Sequence, residues 1–135
     1  MRYKFLEHTA DVKFQSYGKT LEEAFKNAAL AMQEVMTKKV KIKSRIKKKI
    51  KVEGRDKESL LRAFLEEFLF LLDSKGWILS SVKSLKIQDL QLEAEVLGDE
   101  AKNYKFTNDV KAVTYNQMQV KKDKSRWICQ VVLDV

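Results

Sequence analysis

The sequence of 135 residues contains no proline, four glycines, one cysteine and one histidine. A single cysteine excludes an internal disulfide and a zinc site built from cysteines. The longest apolar stretch, residues 60–72, is interrupted by one arginine and two glutamates, so no segment offers the roughly 20 apolar residues of a membrane span. Glu7 precedes any apolar segment, which argues against a secretory signal. We therefore expect one cytoplasmic domain, residues 1–135, with no membrane contact.

Charge is abundant: 27 basic and 19 acidic residues give a net charge of +8. Nine of the basic residues lie in residues 38–51, which contain no acid. Apolar side chains at even positions alternate there with mostly basic odd positions, and this period of two predicts a strand that ends near Gly54. Such lysines either protect a sheet edge from aggregation or form a surface for nucleic acid or an acidic partner, and both interpretations stay open. No aromatic residue interleaves the lysines, as base stacking would require.

Hydrophobic periodicity predicts two helices. In the first, residues 21–36, apolar side chains recur every three or four positions after a capping box formed by Thr20 and Glu23. The second lies between an N-cap at Asp56 and a C-terminal glycine at Gly76. Strand-like patterns cover residues 2–6, 11–17, 38–54, 77–82, 85–97, 110–120 and 127–135. These elements predict an α+β domain with both helices packed on one face of a mixed, largely antiparallel sheet of six to seven strands.

Polar residues suited to a binding site occur at two places. His8, Thr9 and Asp11 lie at the turn between the first two strands. Either these polar groups converge on a site, or Thr9 and Asp11 only satisfy turn amides through their side-chain oxygens. The last strand is apolar on both faces and ends in Asp134 and Val135, whose terminal carboxylate is a further candidate. If it lies beside residues 11–17, three carboxylates meet and repel unless a proton or cation lies between them. Oxygen ligands of this kind suit Ca²⁺, Mg²⁺ or Mn²⁺, whereas the alternative is a solvated aspartate at a frayed terminus.

No motif indicates an enzyme that acts alone. The chain lacks G-x-x-x-x-G-K-S/T, G-x-G-x-x-G and G-x-S-x-G, the motifs of phosphate-binding loops, dinucleotide sites and esterases. Cys129 lies within an apolar strand and is expected to be a core residue. A stand-alone metal-dependent hydrolase is the least favoured interpretation, because no nucleophile or paired base is evident.

Four segments of the sequence follow a known pattern: F-L-E-H-T-A-D-V (5–12), Y-G-K-T-L-E-E-A-F (17–25), D-V-K-A-V-T-Y (109–115) and V-V-L-D-V (131–135). Through these segments the chain resembles the archease family over residues 3–135. It implies a cofactor protein rather than an enzyme, since archeases assist RNA ligases of the RtcB type in tRNA splicing and RNA repair. These ligases join a 2′,3′-cyclic or 3′-phosphate end of RNA to a 5′-hydroxyl. The resemblance implies that the protein promotes guanylylation of the ligase and sustains multiple turnovers.

The resemblance also implies which residues form the site. The metal site of the family corresponds here to Asp11, Asp134 and Val135. Its divalent ion is expected to be Ca²⁺ in a crystal, with Mg²⁺ or Mn²⁺ as alternatives. His8 belongs to the same motif and is expected to orient a ligand or to contact the partner.

Two positions depart from the family pattern. Many members carry a basic residue and a histidine a few residues before V-K-A-V-T-Y; here Lys105 keeps the basic role and Phe106 replaces the histidine. Many members also have a histidine after the tyrosine of that segment, where this chain has Asn116. The sequence therefore gives no support to a second histidine cluster.

The alternative function is a chaperone-like or RNA-binding module that acts on tRNA through the basic strand predicted over residues 38–54. Binding through lysines depends strongly on salt and is weakened by charge reversal. A role as ligase activator depends instead on Asp11. Mutation therefore distinguishes the two functions. Charge reversal of the lysines should weaken RNA binding, whereas substitution of Asp11 should abolish activation of the ligase.

Overall fold

The computed structural model describes residues 1–135 and contains two α-helices and seven β-strands. The elements are β1 Tyr3–Leu6, β2 Val12–Gly18, α1 Leu21–Thr37, β3 Ile46–Glu53, α2 Lys57–Lys75, β4 Trp77–Gln88, β5 Gln91–Glu100, a 3₁₀ turn Ala101–Asn103, β6 Ala112–Asp123 and β7 Arg126–Asp134. The predicted α+β class, both helices and seven strands are confirmed. No helix is long and apolar enough to cross a membrane.

The strands divide between two sheets, where the sequence predicted one. A four-stranded sheet has the order β1-β2-β7-β6, a three-stranded sheet has the order β3-β5-β4, and every pair is antiparallel. Alternation of apolar and polar residues shows which side of a strand is buried but not which strand lies beside it. The division into two sheets was for that reason not visible in the pattern.

Both helices begin at the predicted N-cap residues, but Glu23 does not close the predicted capping box, because its side chain accepts from the amide of Lys19 at 3.1 Å instead of from Thr20. The amide of Glu23 donates to the side-chain oxygen of Thr20 at 3.1 Å, and the amide of Ser59 donates to Asp56 at 2.7 Å. Gly76 ends α2 in the left-handed conformation, with φ of 60°. These caps satisfy backbone groups that have no partner inside the helix. Local sequence was therefore sufficient to predict the start of both helices and the end of α2.

The helices and both sheets share one hydrophobic core. Phe14 of β2, Phe25 of α1, Phe64 of α2 and Trp77 of β4 are among its largest buried side chains. Cys129 is fully buried in the same core, and this burial raises the pKa of its thiol to about 12. The prediction that Cys129 is a core residue is confirmed.

Three charged residues of α2 cover the outer edge of β6. Arg62 donates from Nε to the carbonyl of Val113 at 2.8 Å, and Glu66 accepts from the amide of the same residue at 3.4 Å. One turn earlier, Glu58 accepts from the amide of Val120 at 3.2 Å. Because residues four apart lie on one face of a helix, these side chains form a row that pairs the free edge of the sheet.

Two predicted strand boundaries are wrong. The strand expected over residues 38–54 begins only at Ile46, and residues 38–45 form an irregular loop. The break expected between residues 82 and 85 is instead a turn at Asp89 and Leu90, both with positive φ. Turns of this kind are normally marked by glycine or asparagine, and neither residue occurs here. Ladder contacts with β5 extend β4 as far as Gln88.

Candidate functional site

The central strand pair of the four-stranded sheet brings the predicted carboxylates to one end. β2 pairs antiparallel with β7, the neighbour that the sequence had left open, and Val12 lies opposite Leu133. Asp11 immediately precedes this pair on β2, and Asp134 immediately follows it on β7. Since alternate residues point to opposite faces, both aspartates lie on the face away from the buried Leu133. The register therefore places Asp11 and Asp134 at the same end of the sheet.

The turn before β2 holds a histidine against one of these carboxylates. The Nδ1 atom of His8 lies 3.8 Å from Oδ2 of Asp11, and the two side chains are 17% and 32% exposed. This Nδ1 atom is buried and has no hydrogen-bond partner. Ala10, between them, has a left-handed φ of 67°, a conformation that is costly for a residue with a side chain. The turn thus keeps a buried nitrogen facing a carboxylate across a distance too long for a hydrogen bond.

The last two residues of the chain are held against the sheet. The amide of Lys111 donates to the carbonyl of Asp134 at 2.8 Å, which continues the pairing of β6 with β7. The side chain of Val135 is partly buried and packs against the core. The frayed end considered from the sequence does not describe this terminus, because its backbone and its last side chain are both fixed.

The residue types at this end are those that hard divalent cations prefer, but their side chains are not assembled into a ligand set. No group of three or more His, Cys, Asp or Glu side chains is arranged to hold a metal, so His8, Asp11 and Asp134 do not converge on one point. The third predicted donor is the carboxylate of Val135, which is not a side chain of these types. Neither Asp11 nor Asp134 has a lysine or arginine nitrogen within 4.0 Å, so the protein itself does not compensate the negative charge. Carboxylate oxygens of this kind are the ligands that Ca²⁺, Mg²⁺ and Mn²⁺ prefer.

Lys105 and Phe106 lie apart from these contacts. Lys105 is exposed, and no hydrogen bond or ion pair joins it to His8, Asp11 or Asp134. Phe106 packs against the core and lines an apolar depression of about 420 Å³ with Met36 and Leu72. The aromatic ring that replaces the expected histidine therefore has a packing role.

A lysine on the same face as the carboxylates was missed by the sequence analysis. Lys13 lies two residues after Asp11, and its Nζ donates to Oε1 of Gln117 at 2.7 Å. Gln117 belongs to an irregular part of β6 and has a positive φ of 54°. Its carbonyl accepts from the side chain of the buried Gln130 at 2.8 Å. No local sequence signal marks this contact, which joins residues 104 positions apart.

The lysines of β3 are partly balanced by acids. β3 is the edge strand of the three-stranded sheet, as one of the two interpretations of the sequence required. On its exposed face Lys49 lies opposite Glu95 in the ladder, and Lys51 Nζ lies 3.8 Å from Glu93 Oε1. The outer face of β3 therefore carries opposite charges together, which fits a solvated sheet surface better than a site for a polyanion.

Comparison with known proteins agrees over the whole chain. The Archease protein family (MTH1598/TM1083) matches residues 3–135. The chain is 39% identical to protein archease of Methanosarcina barkeri, covering 99% of this chain and 96% of that protein. It is 37% identical to protein archease of Pyrococcus furiosus, covering 99% of each.

Solved structures give the same result. The solution structure of Methanobacterium thermoautotrophicum protein 1598 is similar with a TM-score of 0.83 and 34% identity, covering 99% of both chains. The crystal structure of an archease from Thermotoga maritima has the same fold, with a TM-score of 0.66 and 21% identity over 98% of this chain and 96% of that one. The sequence profile, the relatives and the fold agree, and the chain therefore belongs to the archease family.

Proposed function

We propose that this protein is a cytoplasmic accessory protein of an RtcB-type RNA ligase in tRNA splicing and RNA repair. In this role it promotes guanylylation of the ligase and sustains multiple turnovers, and it acts on tRNA through the ligase. Membership of the archease family supports the proposal. The observation that supports the site is the pairing of Val12 with Leu133, which brings the chain positions of Asp11 and Asp134 to the same end of the sheet.

The residues at this end would act by positioning rather than by covalent chemistry. Asp11, Asp134 and the carboxylate of Val135 would hold a divalent cation, with Ca²⁺, Mg²⁺ and Mn²⁺ as the candidates. A bound cation would neutralise these carboxylates and would attract the negatively charged phosphates of a nucleoside triphosphate. The histidine His8, 3.8 Å from Asp11, would orient that carboxylate or contact the ligase. The nucleophile in guanylylation belongs to the ligase, so the contribution of this protein is one of orientation.

The test is multiple-turnover ligation of a 3′-phosphate RNA to a 5′-hydroxyl RNA by the ligase of the same organism. Reactions contain no addition, the wild-type protein, Asp11→Asn, Asp134→Asn, or the control Asp73→Asn. Asp73 is an exposed aspartate on α2 without an ion pair, so its substitution changes the charge equally but leaves the site intact. The Asp134 carbonyl that accepts from Lys111 belongs to the backbone and is retained in Asp134→Asn.

We expect stimulation by the wild-type protein and by Asp73→Asn, and its loss with both site variants. Equal stimulation by all four proteins would show that the carboxylates are not used, even though the protein activates the ligase. No stimulation by the wild-type protein would contradict the proposed function itself. Circular dichroism of each variant confirms that the comparison is made between folded proteins.

A further inference from the structure

The loop between α1 and β3 carries a dense group of exposed cations. We call residues 38–45 the basic loop. Its five cations are Lys38, Lys39, Lys41, Lys43 and Arg45, and all of them are exposed. Ile42, at the centre of the loop, is only 8% exposed and anchors it to the body of the protein. The loop is therefore a surface of positive charge held by one apolar residue.

The backbone of the basic loop is fixed at several points. The carbonyl of Ile42 accepts from the hydroxyl of Ser80 at 2.6 Å, and the amide of Arg45 donates to the carbonyl of Gly98 at 2.8 Å. Between them, the amide of Lys43 donates to the hydroxyl oxygen of Tyr104 at 2.9 Å. The charged side chains therefore start from a defined backbone, which reduces the entropy lost when they bind a ligand.

A buried aspartate supports this arrangement. The hydroxyl of Tyr104 donates to Oδ2 of Asp99 at 2.7 Å, and the amide of Glu100 donates to Oδ1 at 2.8 Å. The hydrogen bond from Tyr104 holds the pKa of Asp99 below its ordinary value, so the carboxylate stays ionised at neutral pH. Asp99 orients Tyr104, and Tyr104 orients the loop.

The cations of the basic loop form no ion pairs, although Arg45 lies near enough to Asp99 to help lower the pKa of that carboxyl. None of its five cations has a carboxylate oxygen within 4.0 Å, whereas Lys51 of the neighbouring strand pairs with Glu93 at 3.8 Å. Protection of a sheet edge does not account for these residues, because they lie outside any strand. An unbalanced array of lysines attracts a polyanion.

An exposed aromatic ring lies beside the first lysines of the loop. A groove of about 370 Å³ is lined on one side by Phe5 and Val12 and on the other by Lys38 and Lys39, with Glu34, Val35 and Asn108 completing its wall. The ring of Phe5 is 41% exposed. Cations that follow a backbone, together with a ring on which a base can stack, are typical of binding sites for single-stranded nucleic acid. An acidic protein surface would use the charges but not the ring.

We propose that the basic loop and Phe5 bind single-stranded RNA, the loop through the phosphates and Phe5 through a base. Phe5 and Val12 also line the depression that contains His8 and Asp11, so RNA bound in this groove lies next to the carboxylate end of the sheet. The proposal does not depend on metal binding or on the ligase. It makes RNA a direct ligand of this protein.

The test is fluorescence anisotropy with a short labelled single-stranded RNA at several salt concentrations between about 50 and about 200 mM. One variant carries Lys39→Gln, Lys41→Gln and Lys43→Gln in the basic loop. The matched control carries Lys47→Gln, Lys49→Gln and Lys51→Gln on the exposed face of β3, and thus loses the same charge. A third variant, Phe5→Leu, removes the ring and retains all charges. Unlabelled polyglutamate serves as the acidic-protein competitor.

We expect the loop variant to bind at least about tenfold more weakly and to lower the slope of log K against log salt by about 2, because three contacts with single-stranded phosphates are lost. The β3 control should bind within about twofold of wild type, and Phe5→Leu should bind about tenfold more weakly with an unchanged slope. Equal losses of RNA affinity in both lysine variants would show that only the net charge of the protein matters, and would overturn the proposal. Competition by polyglutamate as effective as by RNA would assign the loop to an acidic protein instead. Absence of binding by the wild type at about 50 mM salt would also overturn it.

Discussion

The Nδ1 atom of His8 lies 3.8 Å from Oδ2 of Asp11, and it is buried without a hydrogen-bond partner. Burying a polar atom in this way costs free energy, and natural proteins rarely leave it uncompensated. The turn that holds the two residues adds a second cost, because Ala10 adopts a left-handed φ of 67°. Both features lie in the turn before β2, next to Asp11. The unpartnered nitrogen of His8 supports a ligand site there.

The first prediction concerns metal binding without the ligase. A cation bound by Asp11, Asp134 and Val135 binds only the folded protein, so it raises the free energy of unfolding by about 2.7 kcal/mol at roughly 100 times its Kd. Thermal unfolding with Ca²⁺, Mg²⁺ and Mn²⁺ should therefore show a higher Tm for wild type and for Asp73→Asn, but not for Asp11→Asn. An identical metal-induced shift in all three proteins would place the binding elsewhere.

The two helices could be predicted because capping residues act within a few positions of the sequence. Asp11 and Asp134 could be named as candidates because one lies in the first turn and the other at the end of the last strand. Thr20, Asp56 and Gly76 cap helices through contacts within a few residues, and the structure reproduces them. The apolar character of the last strand indicated that it is central, but the sequence left open which strands lie beside it, and the pairing of β2 with β7 became evident only in the structure.

The basic loop was not predictable, although its sequence alternates like a strand. The contact that shapes it joins Lys43 to Tyr104, 61 positions away, and alternation cannot report such a contact. The same holds for Phe5, which the fold brings beside Lys38 and Lys39 although no aromatic residue interleaves the lysines in sequence. Long-range packing decided between a strand and a loop where the local pattern allowed both.

A second prediction tests how the basic loop is held. Tyr104→Phe removes the acceptor of the Lys43 amide and the donor to Asp99 without changing any charge. The amide of Lys43 should exchange with solvent at least about tenfold faster by NMR, since its protection comes from this hydrogen bond. RNA should bind several-fold more weakly with an unchanged salt slope. Tyr115→Phe is the control, because Tyr115 is 51% exposed and its hydroxyl makes no hydrogen bond.

A third prediction concerns Gly98 near the C-terminal end of β5. A Cβ atom at this position would collide with the carbonyl oxygen of Ile78 and with the ring of Trp77. The ring has little room to move, because its Nε1 donates to the carbonyl of Ile46 at 3.0 Å. Gly98→Ala should lower the free energy of unfolding by about 1–3 kcal/mol in urea denaturation. Gly76→Asn should cost less, because asparagine tolerates the left-handed conformation of Gly76.

The last prediction concerns alkaline pH and the edge strand β1. The hydroxyl of Tyr3 donates to Oε1 of Glu34 at 2.8 Å. Burial, the hydrogen bond to Glu34 and the negative charge of Glu34 raise the pKa of Tyr3 to about 12, from 10.0. Below pH 10 the tyrosine is protonated in both the folded and the unfolded chain, so the contribution of this contact to stability is fully present. Between pH 10 and 12 the unfolded chain loses the proton first, and the free energy of unfolding should fall as pH rises.

Tyr3→Phe removes the titrating group and should make this decline shallower, which urea denaturation at pH 9, 10 and 11 would measure. Cys129, whose thiol pKa is also raised to about 12, contributes a decline of the same sign, so the comparison is best made in a Cys129→Ala background. Tyr17→Phe is the matched control, because the hydroxyl of Tyr17 donates to the neutral amide oxygen of Gln15 rather than to a carboxylate. The same slope in Tyr3→Phe and in its parent would mean that Tyr3 ionises equally in both states, and that its contact with Glu34 does not anchor β1 to α1.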